Sequence, residues 1–480
     1  MIPDKVNPSL IPDDLLQAWA QTAQADLRQW LQTPGITLGH LEERLEAQAR
    51  KLMLPILRAA AQARAAQPPF QCPDCGGALR AEARPRPRTL DTVFGSFALQ
   101  RDYGWGPTCA RSGHPADPAL GLAPQAPASP RMQEIAALLS LRNPYAQAAK
   151  DAQRLTGLSL HPASLHREAQ RQGQRAIQCR QRDVHLSHTP QGVASWSARS
   201  ATTQKGPFTL IIEIDAWNLR ERDDWGRTRK LRRQGQEPLR WHWVFTATVF
   251  RLDQQGQTQG GRRVISERGY VAPRQPLDSF PHQRYAEALL RGLLNAEQVL
   301  ILAEGAIWIW NLAGDRFKEA KQRVDLHPVK EHRHELARTL YGQGTPEAQQ
   351  WLQPLLRFLD RRNDGALDVL HELEELRQRL KNLTAFQQEA LDKEIGYCTT
   401  HHQRRDYKQA KALGEPVGSG AVESTGRQYQ TRFKATGQFW TREGDESLMA
   451  LSTLYRNERW HRLFPHAQPA ANQNSDAPSP

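Results

Sequence analysis

The sequence has no run of about 18 apolar residues, so no membrane-spanning helix is expected. Its first residues, Met1 to Asp14, lack a basic stretch followed by an apolar one, and a secretory leader is not expected either. Cysteine is scarce. Five in 480 residues is an odd and small number, which argues against a disulfide scaffold and for a reducing, cytoplasmic setting. Acidic residues are in deficit: 64 Lys and Arg stand against 51 Asp and Glu, a difference of +13. That surplus favours a polyanionic partner, most commonly nucleic acid, without revealing any sequence preference. Hydrophobic residues reach only 39%, with 32 Gly and 32 Pro, which suggests folded domains joined by exposed linkers. At roughly 150 residues per domain, the length predicts about three.

Apolar residues recurring at three- and four-residue steps (Leu15, Leu16, Trp19, Leu27, then Leu41, Leu45, Leu52, Leu57) predict a helical arm over 1–68, broken at Pro34-Gly35. A module over 69–128 contains Cys72-Pro-Asp-Cys75-Gly-Gly. It continues with a β-like stretch from Arg88 to Tyr103 turning at Gly95-Ser96, and a loop rich in Gly, Pro and Ala. Residues 129–185 read as helical. Within them Ala146–Leu155 and Pro162–Gln172, separated by Thr156-Gly157-Leu158-Ser159, fit a helix-turn-helix whose second helix carries His166, Arg167 and Arg171. An ordinary helix pair fits the same pattern. Residues 183–206 are polar and read as a linker.

The middle of the chain changes character. Phe208–Asp215, Trp241–Leu252 and Val264–Val271 read as strands, followed by a helix from about Gln283 to Leu294. A strand from Glu297 to Glu304, a helix near Trp308 and a short strand at Lys321–Leu326 complete an α/β sheet domain over 207–327. Residues 328–412 read as helical. Residues 413–465 hold a Gly-rich loop and two helices, and a disordered tail over 466–480 is expected.

Three acidic residues stand where a sheet enzyme places them: Asp215 at the end of the first strand, Glu304 at the end of the fourth, and Glu423 near a helix start. Phosphodiester chemistry with two Mg²⁺ (or Mn²⁺) ions requires carboxylates converging from separate rigid elements. After Glu423, Arg427, Gln430 and Lys434 follow at +4, +7 and +11, on one helical face. Such a face suits a phosphate backbone, although a Glu–Arg surface pair explains the first spacing equally well. Glu213 shares the strand face of Asp215.

Together, Asp215-Ala-Trp-Asn-Leu-Arg-Glu-Arg, Glu304-Gly-Ala-Ile-Trp-Ile-Trp-Asn-Leu and Gly418-Ser-Gly-Ala-Val-Glu-Ser-Thr resemble the ISKra-type transposases of bacterial insertion sequences. Trp440-Thr441 and Asn457-Glu-Arg-Trp460 fit as well, and the resemblance spans about residues 70 to 465. It implies an RNase H-like mixed sheet core with a helical insertion and DDE-type acids, with Asp215, Glu304 and Glu423 as first, second and third. The helical stretch over 328–412 would be the insertion, which accounts for the 119-position gap from Glu304 to Glu423. The implied activity is metal-dependent cleavage of DNA at element ends and joining to a target, by a homo-oligomer acting in the cytoplasm on nucleoid DNA.

This chain departs from the family pattern in three places. Glu304 stands where Asp is usual, and its extra methylene moves the carboxylate outward by about 1–1.5 Å against a tolerance near 0.5 Å. Asp325-Leu-His327-Pro replaces Asp-Phe-Tyr-His, and Gly426 stands where Cys is common. Reduced or absent strand cleavage is therefore expected. Asp325 and Glu213 are the alternative second acids. Two other readings stay open: a DNA-binding protein with a decayed centre, and a nuclease that cuts without joining.

Cys72 and Cys75 form half of a zinc ribbon. The resemblance implies a second Cys pair, but here the chain reads Cys109-Ala-Arg-Ser112, and His114 is the nearest substitute for a fourth structural Zn²⁺ ligand. Cys179 and Cys398 carry no partner pattern. Between Arg220 and Arg240 lie eight basic and four acidic residues, Arg229, Lys230 and Arg232 among them, with Trp225. These could grip a backbone or a flipped base. Trp241, Trp243, Trp308 and Trp310 are expected in the core, and His401-His402 at the surface.

Overall fold

The computed structural model describes residues 13–67, 71–72, 75–82, 84–202, 206–222, 226–237, 239–261 and 263–467. Trp225 and residues 468–480 of the tail expected over 466–480 lie outside them, and His466 and Ala467 belong to a short 3-10 turn, Pro465–Ala467. The chain divides into two compact units, residues 1–169 and 170–480.

The first unit opens with helices α1 (Asp13–Leu31) and α2 (Leu38–Ala65). Short strands follow: β1 (Arg80–Ala81), β2 (Arg86–Thr92), β3 (Gly95–Arg101), β4 (Gly104–Gly106) and β5 (Arg111–Gly113). Then come helices α3 (Ala116–Ala119), α4 (Pro130–Arg142), α5 (Tyr145–Thr156) and the start of α6 (Pro162–Leu186). The β2–β3 hairpin buries Leu90, Phe97 and Leu99 against Leu54, Leu57 and Ala61 of α2. Strands β1, β4 and β5 form a separate small sheet. Leu165 at the start of α6 is buried with Ala136 of α4 and Ala148 of α5, a small three-helix cluster. Gly157 ends α5 in a left-handed conformation, as the turn required.

The second unit continues with α7 (Pro190–Thr202), β6 (Thr209–Glu221), α8 (Thr228–Arg233), β7 (Arg240–Arg251), β8 (Gln255–Gln257), β9 (Arg263–Ile265) and β10 (Gly269–Val271). After these come α9 (Ser279–Leu290), β11 (Gln298–Ala303), α10 (Ile307–Arg316) and β12 (Lys321–Val324). The remaining helices are α11 (Leu326–Tyr341), α12 (Pro346–Arg361), α13 (Gly365–Arg379), α14 (Ala385–His401), α15 (Tyr407–Ala412), α16 (Gly420–Phe433) and α17 (Arg442–Arg456). The architecture is α/β. A mixed five-stranded sheet runs in the order β10-β7-β6-β11-β12, antiparallel across β10, β7 and β6 and parallel across β6, β11 and β12.

Leu210, Ile212 and Ile214 of β6 join the main core on one face of this sheet. The opposite face of β6 presents Glu213, Asp215 and Trp217 to α16. Val422 N–H donates to Glu213 (2.8 Å), and the hydroxyls of Thr248 and Thr425 pair across the contact (3.0 Å).

Several expectations are corrected. Residues 183–206 are not a linker: α6 runs to Leu186, and α7 follows with Trp196 buried. An amphipathic helix with one large anchor reads as polar in composition. Asp215 does not end its strand, because β6 continues to Glu221, paired with β7 out to Arg240. Val264–Val271 is two strands, and only β10 joins the main sheet. Trp310 is buried, but Trp241 and Trp243 are 58% and 48% exposed. They face outward because β7 extends past the helices that cover its other end. His401 is buried rather than at the surface, against the rings of Trp310 and Tyr397. No described helix is long and apolar enough to cross a membrane.

Candidate functional site

Parallel register sets the acids in a row. Ala303 of β11 lies opposite Ile214 of β6 and Val324 of β12, so Asp215, Glu304 and Asp325 are the next residues on three adjacent strand paths. Helix α16 brings the fourth carboxylate. It lies against the row at Gly426: a Cβ there would be 3.6 Å from Trp217 Cδ1 and 3.9 Å from Asp215 Oδ2, ordinary contact distances. Glu423 stands one turn earlier on this helix, half-buried.

The electrostatics show these carboxylates as neighbours. Burial raises the pKa of Asp215 above the usual carboxylate value. The Ala216 N–H bond opposes the shift, and the charges of Glu423 and Asp325 add to it. Burial likewise raises Glu304, reinforced by Asp215, Asp325 and Glu423. Glu213 is enclosed and pushed up to about 8 by burial, against the N–H bonds of Val422 and Ala421. A cluster in which each acid disfavours the ionisation of the next has the chemistry a divalent cation relieves.

The five carboxylates, Glu213 included, do different work. Asp325 caps α11 through His327 N–H (2.7 Å) and accepts from the Ser419 N–H (2.6 Å) and hydroxyl (2.5 Å). It ties the end of β12 to the start of α16. Glu213 holds Val422 in the same way. Both are engaged by backbone donors, whereas Glu304 has its side chain exposed. The backbone after Glu304 is fixed from the insertion side, since a Cβ on Gly305 would overlap the ring of Tyr397 on α14. The oxygens of Asp215, Glu304 and Glu423 do not all lie within 4.8 Å of one another; among the described residues only Cys72, Cys75 and Cys109 cluster that tightly.

The predicted backbone-binding residues are spread. Arg427 pairs with Glu423 at 3.5 Å, the ordinary i, i+4 arrangement, with the Arg427 side chain largely exposed and that of Glu423 half-buried. Gln430 lies beside Gly426. Lys434 Nζ donates to Asn218 Oδ1 (3.4 Å) and lies 5.6 Å from the centroid of the Trp217 ring. Arg229, Lys230 and Arg232 are exposed on α8, which Leu231 anchors. Arg167 is exposed on α6 and donates to Ser164, and Arg171 lies one turn further along that helix.

The second candidate centre lies in the first unit. Cys72 and Cys75 flank a tight turn closed by Gly76 N–H to Cys72 O (2.9 Å) and Cys72 N–H to Gly77 O (2.8 Å). Cys109 sits in the β4–β5 turn, its Sγ 3.5 Å from that of Cys72. The Arg111 N–H favours the Cys109 thiolate, but the neighbouring Cys75 and Cys72 thiols outweigh it and hold Cys109 up. These three thiols are a donor set for a soft metal such as zinc. His114 is corrected: its Nδ1 is 3.0 Å from the Asp102 carbonyl, its ring packs on Tyr103, and it stands outside the thiol cluster. Ser112 accepts from the Tyr103 hydroxyl (2.6 Å).

Three features escaped the sequence reading. One is the ion network of Arg323, Asp406 and Glu415, with the fully buried Arg323 guanidinium donating to Asp406 (2.9 and 3.0 Å) and to Glu415 (2.5 Å). The others are the Tyr397–Gly305 contact and the exposure of Trp241 and Trp243; no local pattern signals any of the three. No protein-family model matches the chain, and a search of curated proteins finds no match either.

Proposed function

We propose that the chain is a metal-dependent DNA strand-processing enzyme, a DDE-type transposase with an RNase H-like core. The observation that carries this is the row of Asp215 and Glu304 on adjacent parallel strand paths, with Glu423 brought over them by α16. The mixed sheet and the helices between Glu304 and Glu423 are what the RNase H-like expectation with an insertion requires. Asp215, Glu304 and Glu423 would hold Mg²⁺ or Mn²⁺, which supplies activation of the attacking oxygen and stabilisation of the leaving one. The chain's own contribution is placement. Asp325 and Glu213 pin α16, and α14 fixes Gly305.

DNA is the substrate, cut at element ends and joined to a target in the cytoplasm on nucleoid DNA by a homo-oligomer. The net charge of +13 supports a polyanionic partner. The test is a strand-transfer assay: a labelled duplex carrying the DNA that flanks this gene, with a supercoiled target and Mg²⁺. Joined products support the reading; cleavage without joining makes the chain a nuclease.

A second reading, a DNA-binding protein with a decayed centre, is favoured by one observation. Glu304 is exposed, and the oxygens of Asp215, Glu304 and Glu423 do not all lie within 4.8 Å of one another. Restoration of cleavage by Glu304→Asp separates a damaged enzyme from a binding protein.

A further inference from the structure

Large aromatics on a strand normally pack against a covering element. Trp241 and Trp243 do not: at i and i+2 on β7 they share one face and stay 58% and 48% exposed. The backbone of Trp243 is not open for another strand. Trp243 O accepts from Gln275 N–H (2.8 Å), and Trp243 N–H donates to the Gln275 side chain (2.9 Å), so strand addition at this edge is already answered. What remains available is the rings.

The surroundings are cationic. Arg220, opposite Trp241 in register, has its guanidinium 5.3 Å from the Trp241 ring centroid and 5.9 Å from that of Phe439. The β6–β7 connection carries exposed Arg229, Lys230, Arg232 and Arg233 on α8. Exposed rings amid guanidinium and ammonium groups fit a ligand that is both aromatic and anionic, and a strand of nucleotides is such a ligand. The Cα spacing of i and i+2 is roughly 6.6 Å, about twice the ~3.4 Å rise of stacked bases.

The platform is also near the acids. Trp243 pairs with Asn218, three residues past Asp215, or about 10 Å along β6. The tryptophans and Asp215 lie on opposite sheet faces, but β11 stops at Ala303 opposite Ile214. Among the described residues, no strand pairs with that edge of β6 from Asp215 until Glu221 meets Trp440. Lys434 sits at this gap, touching Asn218 on one face and Trp217 on the other. A strand can pass from the rings over that edge to the carboxylates.

We propose that Trp241 and Trp243 form a stacking platform for unpaired bases of the DNA strand led to Asp215, with Arg220 and the α8 cations taking its phosphates. This rests on the nucleic-acid reading above and specifies its substrate as locally single-stranded.

The experiment titrates the full chain, in EDTA, with fluorescein-labelled oligothymidylate of 20 nucleotides and with a duplex of equal length. Trp241→Ser, Trp243→Ser and the double variant run beside wild type, with circular dichroism melts to confirm folding. Each single variant should weaken oligothymidylate binding about tenfold, or about 1.4 kcal/mol, and duplex binding less than twofold. Oligothymidylate should quench wild-type tryptophan fluorescence more than that of the double variant. Unchanged oligothymidylate affinity in the double variant overturns the proposal. So does equal loss for both DNAs, or a fall in oligomer mass by light scattering, which would make the rings a subunit contact. Tryptophan-dependent binding with no nicking of any DNA keeps the platform and removes the catalytic reading.

Discussion

Ser419 donates both its backbone N–H (2.6 Å) and its hydroxyl (2.5 Å) to one oxygen of Asp325. The pair joins the end of β12 to the first turn of α16, and so sets where Glu423 stands relative to Asp215. Ser419→Ala removes one of the two bonds and should cost about 1 kcal/mol. Asp325→Ala leaves the N–H and hydroxyl of the buried Ser419 and the N–H of the exposed His327 without their acceptor and should cost more, about 2–6 kcal/mol at 1–3 for each of the two buried donors. Urea denaturation of the two variants checks the order. Equal losses would contradict it.

Gly426 is a cost the helix carries. Gly inside a helix is about 1 kcal/mol worse than Ala, and an added Cβ would meet Trp217, Gln430 and Asp215 at 3.6–3.9 Å, ordinary contact distances. Gly426→Ala should therefore raise stability by up to about 1 kcal/mol and leave DNA binding unchanged. A loss of stability would mean that α16 lies closer to β6 than these distances allow.

The loop before α16 is held by Arg323. Burial pushes Asp406 up, but the hydrogen bonds from Arg323 and Lys321 outweigh it and bring it down to about 2. A carboxyl held low binds its proton less readily when folded. It therefore contributes stability above its ordinary value of 3.8 that is lost as pH falls towards 2. The shift is worth about 2 kcal/mol. Asp406→Asn should lower stability at pH 7 and flatten its dependence between pH 4 and 2, read from thermal melts across that range. A variant with the wild-type slope would assign the acid sensitivity elsewhere.

The thiol cluster should take up one zinc ion per chain. Cobalt substitution should give thiolate charge-transfer bands, and Cys109→Ser should weaken them together with the affinity. His114→Ala should leave the spectrum unchanged, because its ring is turned to Asp102 and Tyr103. Uptake should fall with pH below neutrality, since thiols must lose protons to bind. A changed cobalt spectrum in His114→Ala would make His114 a ligand after all.

Periodicity was enough to find the α/β sheet, the helical stretch after it and the Cys72–Cys75 turn, because each depends on residues near one another in sequence. Asp215 was legible as a strand acid, yet its strand was read six residues short. Trp217 and Leu219 continue the buried alternation, while the charges at Arg220 and Arg222 mimic a loop. The tryptophans misled for the opposite reason: their own pattern is that of a core strand, and only the extent of the covering helices leaves them exposed. The Asp325–Ser419 tie spans 94 residues and the Arg323–Asp406 pair 83. Neither carries a local signature, so the roles of Asp325 and Arg323 emerge only from the fold.

The most direct measurement is a nicking assay on a labelled duplex carrying the DNA that flanks this gene, in Mg²⁺ and then Mn²⁺. Wild type, Glu304→Asp and Asp215→Asn run side by side. The account predicts cleavage that Asp215→Asn abolishes and Glu304→Asp increases, because a shorter side chain draws the second carboxylate back towards Asp215. Silence in all three proteins while the DNA remains bound would contradict the enzyme and leave a binding protein.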